Sequence, residues 1–209
     1  MSKKILYVIV SAIICCVVLI IVYAIKSTDN EMGNSLQQKY PIVTDSQYVF
    51  ETPEFGFEER IKYAPNIAYI KIVEKLPAYI VAINDKDNNI SNNMVFHQYK
   101  ASVIEDIGET NFKIDSDNTI TICFADVFSS SYPALSVGME IICSIEPAAG
   151  EHTGKYLFYD KTFYYVDSGM ALAAYESDDS IAKFCCKKSK LIDQIKNIRK
   201  KAVTNQTDR

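Results

Sequence analysis

The sequence contains no tryptophan, and histidine, glycine and proline are scarce, with 2, 7 and 6 residues among 209. So little glycine and proline excludes a collagen-like repeat and argues against a long flexible array. A chain that is 48% hydrophobic and 23% charged is also neither a long disordered segment nor a disulfide-dense miniprotein. The formal net charge of −4 argues against a general nucleic-acid binder. The length fits one domain with an appendage.

The longest apolar run extends from Ile5 to Ile25 and contains no charged residue. As a helix it would span about 31 Å, which matches the hydrocarbon core of a bilayer at about 30 Å. Lys3 and Lys4 precede the run and Lys26 follows it. By the positive-inside rule, we expect residues 1–4 in the cytoplasm and the rest of the chain outside. The sequence therefore predicts a single-pass signal-anchor in the lipid bilayer of the cell membrane.

Other interpretations of this run are weaker. Val22-Tyr23-Ala24 could serve as a cleavage site, but the run is longer than the apolar core of about 7–15 residues in a signal peptide. Cys15 and Cys16 lie too deep in the run for a lipoprotein signal. A buried core helix is the remaining alternative, and the charged flanks argue against it.

The rest of the chain alternates between polar turns and apolar runs. Residues 26–47 predict a polar spacer, and Phe57–Tyr63 predicts a short helix that ends before Pro65. Polar loops are predicted at Asn84–Asn93, Asp115–Asn118 and Pro147–Gly154. Branched and aromatic runs predict strands at Ile67–Val73, Val95–Ile107, Thr119–Phe124, Met139–Ile145, Tyr156–Tyr159, Thr162–Val166 and Ala171–Ala174. We therefore expect a mainly β domain over residues 48–176, as a small antiparallel barrel or sandwich in an α+β chain.

Residues 177–202 predict an amphipathic helix, and 203–209 predict a disordered tail. Residues 181–201 contain 8 basic and 1 acidic side chains, whereas residues 27–180 contain 10 basic and 24 acidic ones. The candidates for contact with an anionic partner are Lys187, Lys188, Lys190, Arg199, Lys200 and Lys201. The partner would be anionic lipid, an anionic wall polymer or another protein. The favoured alternative is a capping helix that closes the barrel and keeps its lysines solvated.

Candidate catalytic and metal-binding residues are sparse. His97 and His152 are the only histidines, and no G-x-S-x-G motif surrounds Ser129–Ser131. Asp85, Asp87 and Asn89 alternate like the oxygen ligands of calcium loops. An EF-hand requires glycine at the sixth position and glutamate at the twelfth, whereas this chain has isoleucine and phenylalanine there. We favour a solvated loop, leave weak calcium binding open, and predict no catalytic residue and no cofactor.

The cysteines beyond the apolar run are Cys123, Cys143, Cys185 and Cys186. Export permits disulfides, but Cys143 shares its predicted strand face with apolar residues while Cys123 opposes the apolar face of its own strand. Buried free thiols are therefore favoured over a bridge. The vicinal pair at 185–186 is not the C-x-x-C motif of a redox site.

A resemblance rests on the order of segments across residues 55–175. The helix is followed by IAYIKIVEKL, then TITICFADV, PALSVGMEIICSI and KYLFYDKTFYYVDSGMALAAY, and the Leu-x-Val-Gly-x-Glu turn at Leu135–Glu140 carries most of the match. The chain resembles the exported, membrane-anchored small OB-like β-barrel domains of Gram-positive bacterial surface proteins. The resemblance implies a fold and an extracellular location, and it carries over no catalytic residue.

The leading hypothesis is a membrane-anchored binding or scaffolding protein outside the cytoplasm, with no nucleic acid as partner. An exported hydrolase with an unrecognised site is the second hypothesis. A structural or sensor subunit that acts through its membrane helix is the third, because Ser11 and Ala12 are small residues that favour helix packing.

Overall fold

The computed structural model describes Ile14, Val17, Val18 and residues 34–44, 55–85, 90–110, 112–127 and 132–207. Most of the predicted anchor at Ile5–Ile25 therefore lies outside the described residues, and the three that are described within it are helical. Among the described residues, no helix is both long enough and apolar enough to cross a bilayer. The anchor stays a prediction.

Within the described ranges, seven strands form one sheet. The strands are β1 (Asn66–Asp85), β2 (Ile90–Asp106), β3 (Thr119–Ala125), β4 (Glu140–Pro147), β5 (Tyr156–Asp167), β6 (Met170–Ala173) and β7 (Cys186–Lys187). Helix α1 spans Phe57–Tyr63, helix α2 spans Lys188–Thr207, and residues 34–39 are also helical. The prediction of a mainly β chain is confirmed, and α1 has the predicted bounds.

The sheet closes on itself. Its strand order is β3-β2-β1-β4-β5-β6-β7, and the strands adjacent in this order pair antiparallel. A further, parallel pairing joins Ile122 of β3 to Tyr156 of β5 and completes a ring of β1, β2, β3, β5 and β4. Register shifts in the β1–β2 ladder lie between Tyr69 and Ile70 and twice more before Tyr79. Such irregularities bend a strand, which allows β1 to follow the ring.

Two apolar cores lie on opposite faces of this ring. Ile120, Ile122 and Phe124 alternate along β3 and face the inner core, as their spacing predicts. The outer core lies under the helices, where Tyr164 of β5 packs in the same cluster as Ile195 of α2. Both side chains are fully buried. The helices therefore cover one outer face of the ring.

The predicted spacer is packed against the barrel over its described part. In residues 34–44, Leu36 and Tyr40 are buried in the inner core. The Tyr40 ring stacks on that of Tyr165, with 4.7 Å between centroids and 16° between planes. The sequence did not predict these contacts, because two apolar residues among polar ones show neither the helical nor the strand periodicity that indicates a packed element. The domain therefore includes residues that the sequence had assigned to the spacer.

The C-terminal helix begins at Lys188, so the predicted start at Ser177 is wrong. Cys185 has a φ of 71°, a left-handed conformation that an α-helix excludes. Cys186 and Lys187 pair with β6 instead. Phe184 follows Ile181 at the three-residue spacing of a helical apolar stripe, yet it is 79% exposed. The helical spacing of Ile181 with Phe184 was therefore fortuitous.

The predicted loop at Asn84–Asn93 is mostly strand. Backbone pairing of β1 with β2 continues from Ala82 and Asn93 out to Asp85 and Ile90, and only residues 86–89 lie outside the described ranges. Polar side chains gave no sign of this pairing, because the ladder uses backbone groups alone. The predicted turn at Asp115–Asn118 is present, with the Asn118 N–H donating to the Asp115 carbonyl at 2.9 Å.

Candidate functional site

Three elements meet beside the outer face of β3. They are the β1–β2 hairpin, β3 itself and the connection between β4 and β5, which contains a 3-10 turn at Gly150–His152. Gly150 and Gly154 have φ values of 62° and 86°, which glycine adopts at little cost. This turn places His152 and Lys155 over β1 and β2.

An aromatic cluster forms where these elements meet, and it consists of Tyr79, Phe96 and His152. The rings of Tyr79 and Phe96 stack with 5.5 Å between centroids, and the centroids of Phe96 and His152 are 4.2 Å apart. The Tyr79 hydroxyl and His152 Nδ1 are hydrogen-bonded at 2.6 Å. Phe96 is buried, whereas Tyr79 and His152 are half-buried. The cluster therefore lies partly exposed at the surface of the barrel.

Lys155 covers the remaining face of Tyr79. Its ammonium lies 3.2 Å from the ring centroid, well inside the range of about 6 Å for a cation–π contact. Among the described residues, no carboxylate lies within ion-pair distance of this ammonium. The ring quadrupole of Tyr79 is therefore its main electrostatic partner in that part of the chain.

The Cys123 thiol lies under the aromatic cluster, next to the Tyr79 hydroxyl. Cys123 is fully buried, and burial raises its pKa. Burial also raises the pKa of Tyr79. Both groups therefore keep their protons at neutral pH, and the thiol is not a ready nucleophile. Cys123 and Cys143 are buried free thiols, as the strand patterns predicted.

His97 follows Phe96 in β2 and therefore lies on the opposite face of the strand, where it is paired with a carboxylate. Its Nε2 is 2.6 Å from Asp126 Oδ1, and its ring packs 5.7 Å from that of Phe124. The side chains of His97 and Asp126 are 27% and 55% exposed. In a nucleophilic triad a carboxylate orients the histidine in this way. Ser129–Ser131, which follow Asp126 closely in sequence, lie outside the described residues.

One of the three calcium candidates lies in the described part of the chain. Asp85 ends β1, whereas Asp87 and Asn89 lie outside the described residues. In the part of the chain that the structure describes, no three His, Cys, Asp or Glu side chains come together as metal ligands. The calcium hypothesis stays a prediction about residues 85–89.

The predicted basic face of the C-terminal helix is divided between internal and exposed side chains. Lys188 donates to the Tyr69 hydroxyl at 3.3 Å, and its ammonium is 4.5 Å from that ring. Arg199 donates to the Ala64 carbonyl at 2.8 Å, at the end of α1. The candidates that remain exposed are Lys187, Lys190, Lys200 and Lys201. The available basic surface is therefore smaller than the sequence suggests.

An open groove of about 590 Å³ runs between α1 and α2. Phe57, Ile181 and Ile198 supply apolar contacts to it, and Lys190 and Lys201 lie at its rim with several acidic side chains. Mixed charges of this kind do not select one class of ligand. The aromatic cluster is the more specific candidate, because its rings and hydrogen bond are fixed in a defined geometry.

No protein-family model matches the chain, and no curated protein matches it either. Sequence reasoning noted His97 and His152 and missed Tyr79, Phe96 and Lys155. A possible signal was the absence of charge from Leu76 to Asn84 around a tyrosine. That signal alone does not indicate which residues surround the ring.

Proposed function

We propose that this chain is a single-pass, membrane-anchored binding or scaffolding protein whose OB-like barrel takes its ligand outside the cytoplasm. The anchor hypothesis rests on the uncharged run Ile5–Ile25 and its flanking lysines. The OB-like interpretation is supported by the closed ring of five strands with its parallel β3–β5 contact. OB-folds are five-stranded barrels that bind ligands on the face of strands 2 and 3 and in the loops after strands 1 and 4.

The observation that carries the binding proposal is the position of the aromatic cluster. Tyr79 and Phe96 come from the β1–β2 hairpin and His152 from the β4–β5 connection, so the cluster lies between the two loops that flank an OB-like binding face. Half-buried aromatic rings with a few polar groups are typical of ligand sites. The fold alone would not support this proposal, because one fold serves many functions.

A single-tryptophan reporter tests the proposal, since the natural chain has no tryptophan. The full chain in lipid nanodiscs carries Tyr79→Trp, and the control carries Tyr63→Trp on α1, where the tyrosine is 53% exposed. The probes are chitotetraose, a polylysine peptide, a polyglutamate peptide and dodecathymidylate. We expect one of the first three to shift the emission of the Tyr79→Trp protein and to leave the control unchanged. No response to any probe, or equal responses at both positions, would contradict a binding site here.

The His97–Asp126 pair is the one observation that favours the second function, an exported hydrolase. The pair could act as base and orienter for a nucleophile that the described residues do not include. The test is labelling of the full chain with a fluorophosphonate, compared with His97→Ala and with His152→Ala as control. Under the binding proposal, the natural chain and both variants stay unlabelled. Labelling that His97→Ala abolishes would favour the hydrolase.

A further inference from the structure

We infer that the face of the Tyr79 ring that Lys155 covers recognises the alkylammonium group of a lysine side chain in a polypeptide ligand, and that Lys155 occupies this face until the ligand displaces it. The inference rests on the proposed function, because it names the chemistry of the ligand for that same site.

The first support is the contact that the chain makes with itself. The Lys155 ammonium is 3.2 Å from the Tyr79 centroid, and in the described part of the chain no carboxylate neutralises it. The ring face therefore already holds a primary ammonium. A ligand ammonium would make the same interaction with the ring quadrupole.

The second support is that the ring is fixed in advance. Phe96 stacks on one face of Tyr79, with 24° between the planes, and His152 holds the hydroxyl. Only the face that Lys155 covers is left for a ligand. A ring that is already oriented loses little conformational entropy on binding, which favours affinity.

The third support is that Lys155 can leave. Its backbone is fixed, because its N–H donates to the His152 carbonyl at 3.0 Å and its carbonyl accepts from the Ala148 N–H at 2.9 Å. Release therefore requires motion of the flexible side-chain stem alone. Lys155 must move before the ligand binds. The apparent association constant is therefore the intrinsic one multiplied by the fraction of molecules in which the ring face is uncovered.

Charge favours a cationic ligand over an anionic one. Residues 27–180 contain 10 basic and 24 acidic side chains, a net charge of about −14. This field attracts cations to the barrel and opposes anions. The amine of an amino sugar is attached directly to a bulky ring, whereas the unbranched stem of Lys155 shows that a linear alkylammonium reaches the face. A lysine side chain fits both requirements.

The test uses the full chain in nanodiscs and two peptides, acetyl-Gly-Gly-Lys-Gly-Gly-amide and its norleucine counterpart. Binding is followed by NMR on methyl-labelled protein. We expect the lysine peptide to bind and the norleucine peptide to bind at least about 10-fold more weakly, because only the first has an ammonium. Tyr79→Leu should abolish the difference, and Tyr79→Phe should retain it because the ring is kept.

Removal of the internal competitor is the decisive variant. Lys155→Ala should tighten binding of the lysine peptide by about 5-fold, because the face is then always free. Lys113→Ala removes the same charge from an exposed site elsewhere and should change the affinity by less than about 2-fold. Unchanged or weaker binding in Lys155→Ala would overturn the inference, and so would equal binding of norleucine or preference for a chitosan tetramer. If these peptides fail while another probe shifts the tryptophan reporter, the inference is wrong and the proposed function stands.

Discussion

The guanidinium of Arg60 lies 2.7 Å from the carboxylate of Asp178, although 118 residues separate them in the sequence. The two side chains are 9% and 1% exposed. The Tyr164 hydroxyl donates to the same carboxylate at 3.0 Å, and the Ser180 N–H donates to it at 2.8 Å. This ion pair joins α1 to the turn that precedes β7, so it holds the helical layer on the outer face of the barrel.

Replacement of Asp178 should destabilise the domain strongly. Asp178→Asn removes the nearest and, among the described residues, only buried partner of the guanidinium's ion pairs, leaving the exposed Asp179 at 3.6 Å, and we expect the free energy of unfolding to fall by about 3 kcal/mol. Chemical denaturation of the full chain in detergent micelles measures the loss. The control is Glu105→Gln, which breaks the half-exposed ion pair with Lys196 at 2.6 Å and should cost less than about 1 kcal/mol. Equal losses of stability in the two variants would contradict a larger contribution from the buried ion pair.

Arg199 should stabilise the fold, whereas Lys201 on the same helix should not. The Arg199 guanidinium donates to the Ala64 carbonyl at 2.8 Å, and burial lowers its pKa. We expect Arg199→Met to reduce the free energy of unfolding by about 1.5 kcal/mol, since a hydrogen bond to a charged donor is lost. Lys201→Met at an exposed position should stay within about 0.5 kcal/mol. Thermal unfolding measures the stability of both variants. An Arg199→Met protein as stable as the natural chain would contradict a stabilising contact between Arg199 and the Ala64 carbonyl.

The turn before β3 should confer stability that depends on pH. Hydrogen bonds from Lys100 and Thr119 lower the pKa of Asp117 from 3.8 to about 2. A carboxylate whose pKa is lower in the folded state stabilises above its unfolded pKa, and this stabilisation is lost as the pH falls through the folded value. Asp117→Asn should therefore have a lower melting temperature than the natural chain above about pH 4, and the gap should close toward pH 2. A gap that persists at pH 2 would mean that the charge is not its source.

The predicted topology can be measured with the anchor alone. Residues 1–30 fused to a reporter that is active only outside the cytoplasm should give an active enzyme. Replacing both Lys3 and Lys4 with glutamate should reduce that activity, because the positive flank orients the segment. A fusion that inserts into the membrane but leaves its reporter inactive on the cytoplasmic side would disprove the assigned orientation.

Contact of α2 with an anionic partner should depend on salt. We expect the full chain in zwitterionic nanodiscs to be retained on immobilised polyphosphate at low salt and released as the salt rises, because the Debye length shrinks from about 10 Å at 0.1 M to about 3 Å at 1 M. Lys190→Ala with Lys201→Ala should weaken retention. Lys188→Ala is the control, since that ammonium contacts Tyr69. Retention that does not change with salt concentration would indicate that apolar side chains of α2, and not its lysines, make the contact.

Local sequence patterns predicted which helices and strands exist better than they predicted the residues at which each begins and ends. Alternation along β3 and the helical spacing of α1 are properties of a few neighbouring residues, so both were recognised. The C-terminal helix was placed too early because the left-handed Cys185 and the pairing of β7 with β6 leave no trace in an apolar period. Predicted strands Tyr156–Tyr159 and Thr162–Val166 are parts of β5, where Asp160 accepts a hydrogen bond from Ser144 at a register shift.

The scarcity of glycine and proline excluded a collagen-like repeat, the hydrophobic content excluded a long disordered chain, and the sequence by itself also determined the strand-rich class and the uneven charge. These features depend on composition and short-range periodicity. Only the tertiary structure decided that β3 meets β5, that Arg60 meets Asp178, and that Lys155 lies over Tyr79. The reason is physical: residues far apart in the chain come together through ring closure, and no local pattern records which partner each will have.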